Sequence, residues 1–163
     1  MKKLYRDILK ILTDDCRYTP AKIAVMLGVS ETEVSAAIRD MEEQKMIVKY
    51  TAILNNEKIE PAKVQALIEI KVTPKKEFGF EEIARTIMEL EEVQSVSLMS
   101  GGYDLALTVS GKTFRDIAMF VAHRLSPIDS VNSTATHFIL KKYKERGVVF
   151  EEEVKDERRM TLL

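Results

Sequence analysis

Apolar residues recur at helical spacing through the first third of the chain. Leu4, Ile8, Leu9, Ile11 and Leu12 form a stripe that Asp14-Asp15 interrupts, which predicts a first helix from Lys3 to about Thr13. Thr19 suits a helix cap and Pro20 a first helical position, and Ile23, Ala24 and Leu27 then share a face until Gly28 permits a tight turn. Ser30 followed three residues later by Glu33 is a capping-box pattern, with Val34, Ile38 and Met41 as the inward stripe of a third helix. Beyond the polar run Glu42 to Lys45, the stretch Ile47 to Leu54 is rich in strand formers, and Ile47, Thr51 and Ile53 can share a face. It reads as a wing or connecting strand. Three short helices with a tight last turn, then a strand, describe a winged helix-turn-helix whose third helix suits a major groove; a plain three-helix bundle has the same periodicity.

Residues 55 to 63 are polar and hold Pro61, so they read as a linker. From Val64 the period changes to two. Ala66, Ile68, Ile70 and Val72 alternate with Gln65, Leu67, Glu69 and Lys71, and a helix follows with Phe80, Ile83, Ala84, Ile87 and Met88 on one face. Val93 to Met99 reads as a strand, Ser100-Gly101-Gly102 as a hairpin turn and Tyr103, Leu105, Leu107 and Val109 as the next strand. Thr113 can cap a helix with Phe114, Ile117, Ala118, Val121 and Leu125 on its face, before Pro127 and a last strand from Val131 to about Leu140. The order strand-helix-strand, hairpin, strand-helix-strand predicts a ferredoxin-like sheet with both helices on one side. Its open side, where Leu67, Leu98 and Ala106 are expected, calls for a partner and so for oligomerisation. The fold class is therefore α+β: a winged helix-turn-helix at 1–54, a linker at 55–63, a ferredoxin-like βαββαβ domain at 64–142 and a charged tail at 143–163. Within the tail, Val148-Val149-Phe150 is able to add an edge strand, and disorder is expected beyond Glu151.

Composition narrows the function classes. The 163 residues carry a formal net charge of -1, so any basic surface is local. Cys16 is the single cysteine, which leaves no intrachain disulfide and fits a reducing, cytoplasmic home. No apolar run approaches the roughly 20 residues that span a bilayer, so no membrane partner is expected. His123 and His137 have no metal-ligand spacing, and Ser100-Gly101-Gly102 lacks the further glycine and lysine of a phosphate loop. Neither a catalytic constellation, nor a metal, nor a cofactor is expected.

Ile8-Leu9, Arg17, Ile23-Ala24, Leu27, Ser30, Val34, Met41-Glu42 and Ile47 fall at characteristic spacings around the helix-turn-helix. Gly102-Tyr103-Asp104 follows the second strand, and Ser133-Thr134-Ala135-Thr136 lies in the last one. In these motifs and in domain order, over about residues 4 to 142, the chain resembles the leucine-responsive and asparagine regulator (Lrp/AsnC) family of transcription factors. The resemblance implies double-stranded DNA as a partner, a homodimer that assembles further, and an amino-acid effector held between neighbouring dimers. The chain departs from the family at Ala37, commonly basic, and at Lys45, commonly glycine.

Helix-turn-helix proteins present the start of the last helix to base edges, which makes Thr32, Ser35, Ala36 and Arg39 the candidate base readers. Arg39 can donate two hydrogen bonds to a guanine edge, with an intrahelical pair to Glu43 as its competitor. Lys22, Lys45 and Lys49 are candidates for phosphate contacts or for plain solvated surface. Residues 1–54 hold nine basic and eight acidic side chains, a weak footprint for DNA that several linked heads would offset. Gly101 and Gly102 either form a turn with positive backbone dihedrals or let a ligand approach bare amides. In the second reading Asp104 attracts an ammonium group, Tyr103 supplies a lid or a hydroxyl, and Thr134 and Thr136 add hydroxyls. Two other classes stay open: a sirohaem-decarboxylase-like enzyme of the same architecture using His123 and His137, and a ligand-binding oligomer with a degenerate DNA-binding head.

Overall fold

The computed structural model describes residues 2–59, 61, 63–73 and 79–150. They divide into two compact units, residues 1–54 and the chain from residue 55 onward.

The first unit is three helices, α1 (Lys3–Asp14), α2 (Pro20–Leu27) and α3 (Glu31–Glu43). Each start follows from its cap. Thr19 accepts the Lys22 amide ahead of Pro20, and the Ser30–Glu33 capping box forms in both directions. Gly28 ends α2 with φ 65°, a conformation open to glycine for want of a Cβ. Tyr5, Ile8 and Leu12 of α1 bury against Ile23, Ala24, Val34, Ala37 and Met41. Tyr5 belongs to the same helical stripe as Ile8 and Leu12 and was absent from the expected core. The expected wing strand does not form: residues 48–55 have no regular structure and no ladder partner among the described residues. Strand propensity reports fitness for a pleated surface, and this stretch has no neighbouring strand in its own unit on which to act.

In the second unit a 3₁₀ turn (Asn56–Lys58), capped by the Asn55 side chain, lies in the linker. Then come β1 (Val64–Val72), α4 (Glu81–Met88), β2 (Val93–Leu98), β3 (Leu105–Gly111), α5 (Phe114–Phe120) with a π turn at Val121–Leu125, and β4 (Val131–Ile139). The strands are antiparallel in the order β2-β3-β1-β4, the ferredoxin-like topology. Ala66, Ile68, Ile70 and Val72 meet Leu105, Leu107 and Val109 in the core, under Ile83 and Ile87 of α4 and Ile117, Phe120 and Leu125 of the last helical segment. Gly111 admits α5 closely, since a Cβ there would stand 3.1 Å from Ile117 Cγ1.

Several expected faces shift. Met88, at the end of α4, is exposed. Phe114 and Ala118 are exposed while Phe120 is buried, because the short α5 turns a narrower face inward and passes into a wider π turn. Leu98 pairs with Leu105 and Val96 with Leu107, so Leu98 lies on the helix-covered side, not the open one. A bulge between Val93 and Ser95 inverts the alternation along β2. Leu67 and Ala106 do take the open side: they alternate with core residues of β1 and β3. Val148-Val149 pairs with Lys144-Glu145 in a separate hairpin rather than on the main sheet. Arg146 (φ 47°) and Gly147 (φ 87°) make its turn, and a local two-residue turn closes at less entropic cost than a return to β4. The disorder expected beyond Glu151 lies outside the described residues.

Candidate functional site

The capping box sets where α3 begins: the Ser30 amide donates to Glu33 Oε2 at 3.0 Å and the Glu33 amide to Ser30 Oγ at 3.2 Å. The hydroxyl bond of Ser30 in particular holds the Glu33 carboxyl below its ordinary range. With that start and with Val34, Ala37 and Met41 inward, Thr32, Ala36 and Arg39 are exposed on one outward stripe and Ser35 is half-buried beside it. Ala37 belongs to the core, so its departure from the commonly basic family position removes no outward contact here. The Arg39–Glu43 pair does not form among the described residues; Arg39 is exposed and unpaired.

The lysines differ from one another. Lys22 Nζ stands 4.4 Å from the centre of the Tyr18 ring, Lys49 is exposed, and Lys45 occupies the turn after α3 at φ 58°. That left-handed conformation explains why glycine suits the position, and Lys45 carries the strain of a side chain there. At the α1–α2 corner Arg17 donates to both carboxylate oxygens of Asp15, at 2.9 and 2.8 Å.

The connection Met99–Asp104 closes β2 and β3 through the Met99 amide, which donates to the Asp104 carbonyl at 2.8 Å. Neither Gly101 nor Gly102 has a positive φ, contrary to the tight-turn reading, because the loop is longer than a two-residue hairpin turn. Both face open space, with nothing within 4 Å of an added Cβ. Asp104 is anchored from two sides: its amide donates to the Ile70 carbonyl at 2.9 Å and its Oδ2 accepts the Val72 amide at 2.9 Å. Tyr103 is half-buried beside it. Thr134 and Thr136 pair with Ile70 and Ile68, which places them on the helix-covered side of an edge strand. Ile70 also pairs with Leu105, so Thr134 stands at the Asp104 end of the sheet but two strand spacings away, roughly 10 Å. Gly101, Gly102, Tyr103, Asp104 and Thr134 thus stand towards one end of the sheet, whereas Thr136, opposite Ile68, lies two residues further along β4.

His123 lies exposed in the π turn on the helix side, whereas His137 shares the open side with Leu67 and stands 3.5 Å from Glu69. The two histidines do not converge. Sequence reasoning missed Tyr5 and Tyr50, whose hydroxyls donate to Asp40 and Glu42 of α3, and the Arg124–Glu92 pair at 2.6 Å. The spacing of Tyr5 with Ile8 was a usable signal for the first; the others depend on neighbours 8 and 32 residues away.

A three-helix head with an outward basic side chain on its last helix is followed by a ferredoxin-like sheet with helices on one side, the two-part architecture of a helix-turn-helix protein with a second, sheet module. Residues 1–48 match the winged helix-turn-helix DNA-binding family and residues 65–149 the Lrp/AsnC ligand binding domain family. The chain belongs to the Lrp/AsnC family of transcriptional regulators. It is 46% identical over 146 residues to the HTH-type transcriptional regulator YugG of Bacillus subtilis, covering 89% of this chain and 88% of that protein. It is 26% identical over 145 residues to the leucine-responsive regulatory protein of Escherichia coli, again covering 89% and 88%. Its fold matches that of E. coli AsnC with a TM-score of 0.71, 20% identity and coverage of 91% of this chain and 97% of that one. It also matches a Neisseria meningitidis regulator solved as an L-Met complex, with a TM-score of 0.73, 22% identity and coverage of 89% and 93%. These relatives are transcriptional regulators, which sets aside the decarboxylase reading. Among the described residues no helix is long and apolar enough to cross a membrane.

Proposed function

We propose that this regulator binds an amino-acid effector at an interface between copies of itself, and that the occupied interface alters how its heads engage DNA in the cytoplasm. The observation that carries the reading is the loop at the end of the sheet. Gly101 and Gly102 leave backbone open to approach, directly beside an anchored carboxylate with one oxygen free of backbone bonds. Tyr103 and Thr134 stand towards the same end, Thr136 follows two residues further along β4, and a second copy supplies the remaining walls. The Neisseria neighbour solved with L-Met supports an amino acid as the ligand class. The open sheet face, with Leu67 and small residues such as Ala106 and Ala135, suits the flat packing of a second sheet in a homodimer that assembles further.

In this reading residues 1–54 engage double-stranded DNA, 55–63 link, 64–142 hold effector and interface, and 143–163 form a charged tail. Thr32, Ser35, Ala36 and Arg39 read bases, while Lys22, Lys45 and Lys49 contact phosphates. The test is calorimetric titration with each common amino acid, run beside sedimentation and binding to the DNA upstream of the gene. Heat from at least one amino acid, with a change in assembly or DNA affinity, is expected. No heat from any of them would overturn the effector class, and a monomer at micromolar concentration would overturn the shared interface.

A further inference from the structure

The third helix is an awkward partner for DNA on composition alone. Glu31, Glu33, Asp40, Glu42 and Glu43 surround Arg39, its one cation, and phosphates repel an anionic face. Three of these five carboxylates are already engaged. Glu33 is used in the capping box. Asp40 Oδ2 accepts from the Tyr5 hydroxyl of α1, and its Oδ1 accepts from Gln44 Nε2 at 2.7 Å. Glu42 Oε1 accepts from the Tyr50 hydroxyl at 2.9 Å. Arg39 and Glu42 are spaced i, i+3, the separation at which opposite charges meet on a helix, yet Glu42 is bonded to Tyr50 and Arg39 has no partner among the described residues.

We propose that Tyr5 and Tyr50 are positioning residues for DNA recognition: from outside the third helix their hydroxyls hold Asp40 and Glu42 to the protein, drawing two negative charges back from the outer face on which Arg39 stands. Tyr5 is built for this, with its ring in the head's core and its hydroxyl at α3. For Tyr50, burial and then the bond to Glu42 push the hydroxyl up to about 12, so it remains a donor throughout the range in which DNA is bound. The Tyr5 hydroxyl likewise holds the Asp40 carboxyl below its ordinary range, so the acceptor stays ionised and bound. The tyrosines therefore act on DNA through the carboxylates they restrain, without touching it.

The proposal rests on the reading that the Arg39 face meets DNA, and the experiment separates the two. A fluorescent duplex of the DNA upstream of the gene is titrated with full-length wild type, Arg39→Ala, Tyr50→Phe and the double variant Tyr50→Phe/Glu42→Gln, with melting curves in parallel. Phenylalanine keeps the ring but releases the carboxylate, so Tyr50→Phe is expected to bind roughly two- to fivefold more weakly, the range of one exposed ion pair. The double variant removes the released charge and is expected to recover wild-type affinity without recovering any lost melting temperature. Tyr5→Phe and Tyr5→Phe/Asp40→Asn repeat the test, and carry it should Tyr50→Phe melt below the assay temperature. Unchanged binding by the single variants, or double variants as weak as the singles, overturns the proposal in favour of a purely structural role. Unchanged binding by Arg39→Ala overturns the reading beneath it.

Discussion

Asp104 Oδ2 accepts the backbone amide of Val72 at 2.9 Å, joining the end of the glycine loop to the last residue of the central strand β1. The carboxylate that the sequence offers as a ligand group is therefore also part of the sheet. One of its two oxygens satisfies the Val72 amide, and in the proposed reading the other meets a ligand's ammonium group. Asp104→Ala is expected to cost about 1–3 kcal/mol of stability, because the Val72 amide loses its acceptor. Asp104→Asn keeps an acceptor oxygen and melts closer to wild type, yet weakens amino-acid binding by about one to two decades through loss of a charge-assisted bond. Melting curves beside calorimetric titration measure both. Equal affinity in wild type and Asp104→Asn would leave Asp104 with the structural role alone.

Arg39 stands outward on α3 and has no ion-pair partner among the described residues. If it reads a guanine, Arg39→Ala weakens specific binding by about 1–3 kcal/mol and relaxes preference at that base more than it lowers non-specific affinity. Binding measured against a set of single-base operator variants distinguishes this from a phosphate contact, for which the loss is uniform across sequences.

Lys45 holds φ at 58°, where a side chain costs about 1–2 kcal/mol, while glycine gives back about 0.5–1 kcal/mol through the entropy of the unfolded chain. Lys45→Gly should therefore stabilise the head by a net amount of about 0.5–1 kcal/mol. The same change removes a cation from the turn after α3. A denaturant midpoint that rises while DNA affinity falls would mark Lys45 as a phosphate contact; one that does not rise would show that the turn relaxes around lysine.

At the α1–α2 corner the Arg17 guanidinium holds the Asp15 carboxyl at about 2, below its ordinary 3.8. A depressed carboxyl means that the unfolded chain binds the proton more readily, so this contact's contribution is present above about pH 4 and is lost as pH falls towards 2. NMR titration of the Asp15 carboxyl is expected to show a midpoint that Arg17→Ala returns towards 3.8. An Asp15 midpoint that ignores Arg17 would contradict the assignment of its cause.

What the sequence determined by itself was whatever depends on near neighbours along the chain. The Thr19, Ser30 and Thr113 caps, the Gly28 stop and the alternation of Ala66, Ile68, Ile70 and Val72 are local rules, and α1 to α3, β1, β3 and β4 follow them. Tertiary structure decided what depends on partners far apart in sequence. The wing residues Ile47 to Leu54 have strand composition but no strand beside them, and one bulge in β2 carries Leu98 to the other side of the sheet. The candidate sites divide in the same way. Arg39 is placed outward by the periodicity of its own helix, and Gly101-Gly102 is legible as a loop. That Asp104 is spent partly on Val72, and that Tyr5 and Tyr50 reach Asp40 and Glu42, are decided by contacts spanning 32, 35 and 8 residues. Such a hydrogen bond exists only once folding has met the entropy of bringing its ends together, and no spacing rule records which distant oxygen a hydroxyl or amide will find.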